Sequence, residues 1–101
     1  MKGKSTMATY ITLIRFTERG AKNIKKSAAR AREFCKSAEK QGVKVQAQYW
    51  TTGGCDGVLI LSANDGNKVL RCLAGLTATG NVKTETMSAF DATEFTAITS
   101  A

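Results

Sequence analysis

Arg15, Tyr49, Trp50, Asp56, Thr84 and Glu85 are the side chains of this sequence best suited to a binding or catalytic site. Arg15 offers a planar fork of N–H donors that matches a carboxylate or phosphate. Asp56 and Glu85 are carboxylates of the kind used for general acid–base work. Tyr49 and Trp50 add aromatic surface, and Thr84 adds a hydroxyl. Cys55 lies in the turn Thr51-Thr52-Gly53-Gly54-Cys55-Asp56 and is a candidate reactive thiol, which Arg15 or a nearby helix N-terminus would activate. The chain has no histidine. It therefore builds neither a Ser-His-Asp nor a Cys-His catalytic pair, and no imidazole ligates a metal. Cys35, Cys55 and Cys72 lack CxxC spacing and are too few for a four-thiolate zinc site, so no metal and no cofactor is expected. Cys35 and Cys72 read as fillers of the core or its edge.

These residues need elements to position them. Tyr10-Ile11-Thr12-Leu13-Ile14-Arg15-Phe16 is rich in β-branched and aromatic residues and reads as a first strand. Thr17 to Lys22 contains Gly20 and reads as a loop. Asn23, or alternatively Ser27, caps a first helix whose apolar face is Ile24, Ala28, Ala31, Cys35 and Ala38, flanked by Phe34. Gly42 stops it. Val43 to Thr52 is a second strand in which Val43, Val45, Ala47 and Tyr49 share one side. Gly57 to Ser62 is a third. Asn64 or Asp65 caps a second helix with Val69, Leu70, Leu73, Ala74 and Leu76 on its apolar face, ended by Gly80-Asn81. Val82 to Phe90 is a fourth strand, and Ala92 to Ile98 suits a short helical turn. The order β-α-β-β-α-β predicts an α+β, ferredoxin-like sandwich. Its four-stranded antiparallel sheet has strands one and three at its centre and two helices on one face.

Both faces of the central strands are apolar. Ile11 and Leu13 oppose Tyr10, Ile14 and Phe16; Val58 and Ile60 oppose Leu59 and Leu61. One layer of helices covers one face only. The second face calls for another copy, the tail over residues 91–101 or a ligand; a homodimer or higher homo-oligomer paired sheet to sheet is the simplest answer, because exposed apolar patches of this size are rare on monomers.

Three stretches resemble the GYD-domain family of small bacterial proteins: Tyr10-Ile11-Thr12-Leu13, Gly20-Ala21-Lys22-Asn23-Ile24-Lys25-Lys26-Ser27, and Gly80-Asn81-Val82-Lys83-Thr84-Glu85-Thr86. The family's namesake Gly-x-Tyr-Asp falls on Gly53-Gly54-Cys55-Asp56, where Cys55 replaces the tyrosine. Gly57, where an apolar strand residue is usual, is a second departure. The resemblance implies a ferredoxin-like fold and an assembly akin to dimeric α/β barrels. It implies no particular activity.

In that topology Arg15, Tyr49, Trp50, Asp56, Thr84 and Glu85 converge at one end of the sheet, beside the start of the first helix. One reading is a pocket for a small anionic molecule, in an oligomeric ligand-binding or accessory protein. A second is a small cofactor-free enzyme using Asp56 or Glu85 as acid or base. The competing structural reading is a polar plug in which Arg15 pairs with Asp56 or Glu85.

Charge is uneven. The 101 residues carry 15 Lys+Arg and 8 Asp+Glu, a net charge of +7, and the excess lies within residues 15–44. Lys25, Lys26, Arg30, Arg32, Lys36 and Lys40 fall opposite the apolar face of the first helix. That face is a soluble, solvated surface in the leading reading and a nucleic-acid-binding module in the third. The module's stacking aromatics belong on the central strands, and strand three has none. Apolar content of 43 % and charged content of 23 % exclude a disordered chain and fit one domain over residues 8–101. Residues 1–7 are polar, lack the apolar stretch of a secretory signal, and read as a flexible N-terminal arm. No run approaches the roughly 20 apolar residues of a membrane helix. An odd number of scattered cysteines fits reduced thiols in the cytoplasm.

Overall fold

A computed structural model describes residues 7–100 of the protein. The N-terminal arm expected over residues 1–7 lies outside the described residues except for Met7, which is exposed.

The elements are β1 (Ala8–Phe16), α1 (Glu18–Lys22), a 3-10 turn (Ile24–Lys26), α2 (Ser27–Lys40), β2 (Lys44–Trp50), β3 (Gly57–Ala63), α3 (Gly66–Thr77), β4 (Val82–Ala89) and α4 (Ala92–Thr99). The four strands form one sheet in the order β2-β3-β1-β4, antiparallel throughout. The fold is α+β, with β1 and β3 central as the connectivity predicts.

Register assigns each residue to a face. Tyr10 opposes Leu61 and Thr12 opposes Leu59, while Ile11 opposes Ile60 and Leu13 opposes Val58. The first set faces the helices: Leu59, Leu61 and Ala63 join Phe34 and Ala38 of α2 and Val69, Cys72 and Leu73 of α3 in one buried core. Both helices therefore lie on the same side. Burying a side chain such as Leu61, which is wholly enclosed, stabilises the fold by about 1.5–3 kcal/mol. Thr12 is buried in the same layer, and its hydroxyl lies 2.8 Å from that of Thr86 on the neighbouring strand.

Several expectations need correction. Thr17 to Lys22 is not a loop. Thr17 caps α1 by accepting a hydrogen bond from the Gly20 amide at 3.1 Å, and the helix follows at once. Gly20 is there because a Cβ would collide with the Asn81 carbonyl, not because the chain turns. Asn23 caps no helix start. Its side-chain amide donates back to the Arg19 carbonyl, and Ser27 is likewise no cap. Asp65 does cap α3, accepting from the Asn67 amide at 2.9 Å. Ile24 and Ala28 leave the apolar face of the first helix. Ile24 belongs to the 3-10 turn and ends 53 % exposed, and Ala28, in the first turn of α2, is exposed as well.

The second strand does not alternate throughout. A bulge between Val45 and Ala47 flips the parity. Val43 and Val45 pack on the helix side, whereas Ala47 and Tyr49, paired with Ile60 and Val58, lie on the other. At the C-terminus Asp91 and Glu94 form a reciprocal capping box for α4. That helix does not cover the sheet with its apolar side chains: Phe95 is 60 % exposed.

Candidate functional site

At the end of the sheet where the chemistry-bearing residues are expected to meet, the loop between β2 and β3 is tied to β1. Asp56 donates its amide to the Ile14 carbonyl at 2.7 Å, and its Oδ2 accepts from the Phe16 amide at 2.8 Å. The carboxylate thereby extends the β1–β3 ladder past its last backbone pair. Arg15 forms no ion pair with Asp56 or Glu85; its Nη1 donates to the Gly54 carbonyl at 2.6 Å. Thr51 donates its hydroxyl to the Cys55 carbonyl at 2.8 Å, and the half-buried Cys55 Sγ lies 3.5 Å from that hydroxyl. Arg15, Asp56 and the Cys55 backbone are thus all engaged in holding this loop.

The six candidate residues share an end of the sheet but divide between its faces. Glu85 opposes Leu13 and Arg15 opposes Lys83, which places them on the side away from the helices. Tyr49 is 63 % exposed on that same side, opposite Val58. Thr84, opposite Ile14, and Trp50, opposite Gly57, are on the helix side. Neighbours in a strand face opposite sides, and the bulge in strand two decides that Tyr49 takes the open side and Trp50 the helix side.

Two surfaces result. The first is the open sheet face. Ile11 sits between Ile60 and Met87, and Leu13 between Val58 and Glu85. Ala47 and Tyr49 extend the patch across β2, Met87 is 42 % exposed on β4, and among the described residues no helix packs over it. The central positions are aliphatic, so the base-stacking platform of an RNA-recognition sheet is missing from them.

The second is a cavity of about 530 Å³ between α2, α3 and the helix side of the sheet. Ile14, Phe34, Leu59, Leu76 and Val82 give it apolar walls. Trp50 and Asp56 also line it, and the Trp50 Nε1 donates to the Ser27 hydroxyl at 2.9 Å. Arg30 lines it too, although the helical wheel places that residue on a solvated basic face. In the structure it is half-buried, its Nη1 donates to the Asn23 carbonyl at 3.0 Å, and its Nη2 is buried without an acceptor. The other five basic residues, Lys25, Lys26, Arg32, Lys36 and Lys40, are not enclosed in this way, and Lys36 lies 4.0 Å from Glu33. Arg30 stands four residues before Phe34 and eight before Ala38, the buried residues of α2, so it shares their row; a wheel centred on Ala31 and Cys35 misses this inward arginine.

Cys72 borders the cavity from α3; burial pushes its thiol above the ordinary range, and the Arg71 charge partly offsets this. Among the described residues no group of three or more His, Cys, Asp or Glu is placed to hold a metal ion, and no helix is long and apolar enough to cross a membrane.

Comparison with known proteins adds a family and a fold. The GYD domain model matches residues 10–99. A Thermus thermophilus protein named glutamine synthetase and cystathionine beta-lyase binding protein is 37 % identical over 84 residues, covering 82 % of this chain and 88 % of its own. The crystal structure of MtbAldR is similar with a TM-score of 0.60 at 16 % identity. That match covers 83 % of this chain and 52 % of the other, so this chain spans about half the length of MtbAldR. The likeness to MtbAldR is one of fold.

Proposed function

The chain belongs to the GYD-domain family, and on that premise we propose that it is an accessory protein that binds metabolic enzymes, as a homodimer or higher homo-oligomer. Its ferredoxin-like sandwich pairs through the open sheet face, in the manner of a dimeric α/β barrel. The observation that carries the assembly is the row Ile11, Leu13, Val58 and Ile60, apolar on the side that no helix covers among the described residues. A second copy buries this row against itself by two-fold symmetry. The binding role is supported by the name of the Thermus relative, which speaks of two enzyme partners. The three free cysteines suit a reducing cytoplasm.

The test uses purified glutamine synthetase and cystathionine β-lyase from the protein's own cell. Each is titrated with the intact protein in a calorimeter. Saturable binding of either enzyme supports the role; no heat and no co-elution with both overturns it.

A further inference from the structure

The cavity between α2, α3 and the sheet is separate from the open face, so its contents are a separate question. Its volume lies within the range of small-molecule pockets, which are mostly apolar with a few placed polar groups. Two cations line the cavity, and of these Lys26 is exposed and Arg30 is the half-buried, inward one. One guanidinium nitrogen is satisfied by the Asn23 carbonyl, and the other, Nη2, is buried with no acceptor. A buried donor without an acceptor is costly, and among the described residues the protein supplies no anion to this half-buried guanidinium. The two carboxylates that line the same cavity are Glu33 and Asp56. Glu33 is exposed and pairs with Lys36, and the Asp56 carboxylate accepts the Phe16 amide. Neither lies within 4.0 Å of the Arg30 guanidinium.

We propose that this cavity binds an apolar monocarboxylate, with the carboxylate on the Arg30 guanidinium and the hydrocarbon body between Phe34, Leu59, Leu76 and Val82. The arginine fork favours a planar carboxylate through charge-assisted hydrogen bonds, and the apolar walls select against a small hydrophilic anion. Burial of the hydrocarbon supplies the affinity, and the unsatisfied Nη2 supplies the preference for an acid over an alcohol.

Trp50, the chain's single tryptophan, lines the cavity and reports occupancy. The intact protein is titrated with decanoate, and separately with 1-decanol and with acetate, by Trp50 fluorescence and calorimetry. Decanoate binds saturably and about tenfold or more tighter than either control, because only it satisfies both arginine and walls. Arg30→Met weakens decanoate about tenfold or more and leaves decanol unchanged. If decanoate binds no tighter than decanol, or if Arg30→Met binds it as well as the wild type does, the proposal is wrong. Should Arg30→Met fail to fold, the comparison of decanoate with decanol on the unmodified protein decides.

Discussion

The Asp56 carboxylate accepts the backbone N–H of Phe16 at 2.8 Å, 40 residues away in the chain. A side chain thus continues the β1–β3 ladder where its backbone pairing ends at Ile14 and Gly57. This is the residue whose family motif precedes β3, and its position explains why an acid is needed there without invoking catalysis. Asp56→Ala leaves a part-buried amide unpaired and lowers stability by about 1–3 kcal/mol. Asp56→Asn keeps an acceptor oxygen and loses less. Urea melts of the three proteins check this ordering, and an Asp56→Ala midpoint equal to wild type would refute it.

Gly20 and Asn81 join two of the family-like stretches. The Thr17 amide donates to the Asn81 carbonyl at 3.0 Å, the Thr17 hydroxyl to the Gly80 carbonyl at 2.6 Å, and any Cβ at position 20 strikes that same Asn81 carbonyl. Backbone cannot retreat as a flexible side chain can. Gly20→Ala therefore costs about 1–3 kcal/mol through overpacking, despite alanine's better helix propensity. A thermal melt in which Gly20→Ala is as stable as wild type or more so would show that the junction yields.

Cys72 gives the fold an alkaline limit. Burial raises its folded-state pKa, so in the unfolded chain the thiol ionises first as pH rises. Above the ordinary thiol range the unfolded state binds fewer protons at this site, and stability falls as pH climbs toward the folded pKa. Urea melts at about pH 7 and about pH 9.5 bracket that range. The drop between them is larger for wild type than for Cys72→Ala, where the remaining thiols are common to both. Equal drops would remove Cys72 as the cause.

Strands and their order are legible because Ile11, Leu13, Val58 and Ile60 and their alternating neighbours declare both the extended conformation and the two apolar faces. The cap of α3, narrowed to Asn64 or Asp65, and the C-terminal helical turn are legible for a similar reason, as local chemistry satisfies local backbone groups. What depends on distant contacts is not. Gly20 looks like a loop signal until Asn81 is placed against it. The bulge after Val45 is set by pairing with β3, and with it which face Tyr49 and Trp50 each take. Arg30 lies on the row of Phe34 and Ala38 within α2, and only the packing of that row against the sheet shows that it turns inward. The candidate residues therefore lie at the end of the sheet that the topology predicts, but they fall on two faces, with Arg15 and Asp56 holding a loop.

The proposed homo-oligomer buries the open sheet face against a second copy. Native mass spectrometry of the wild type at several concentrations tests it, beside Leu13→Lys and Ile60→Thr. Lysine at position 13 lies opposite Glu85, and threonine suits a strand, so both variants can keep the fold while losing the apolar face. Wild type is expected at twice the 10.8 kDa subunit mass or a higher multiple, and both variants shifted toward monomer with unchanged circular dichroism. A wild-type monomer at every concentration, or variants that assemble as the wild type does, would contradict it.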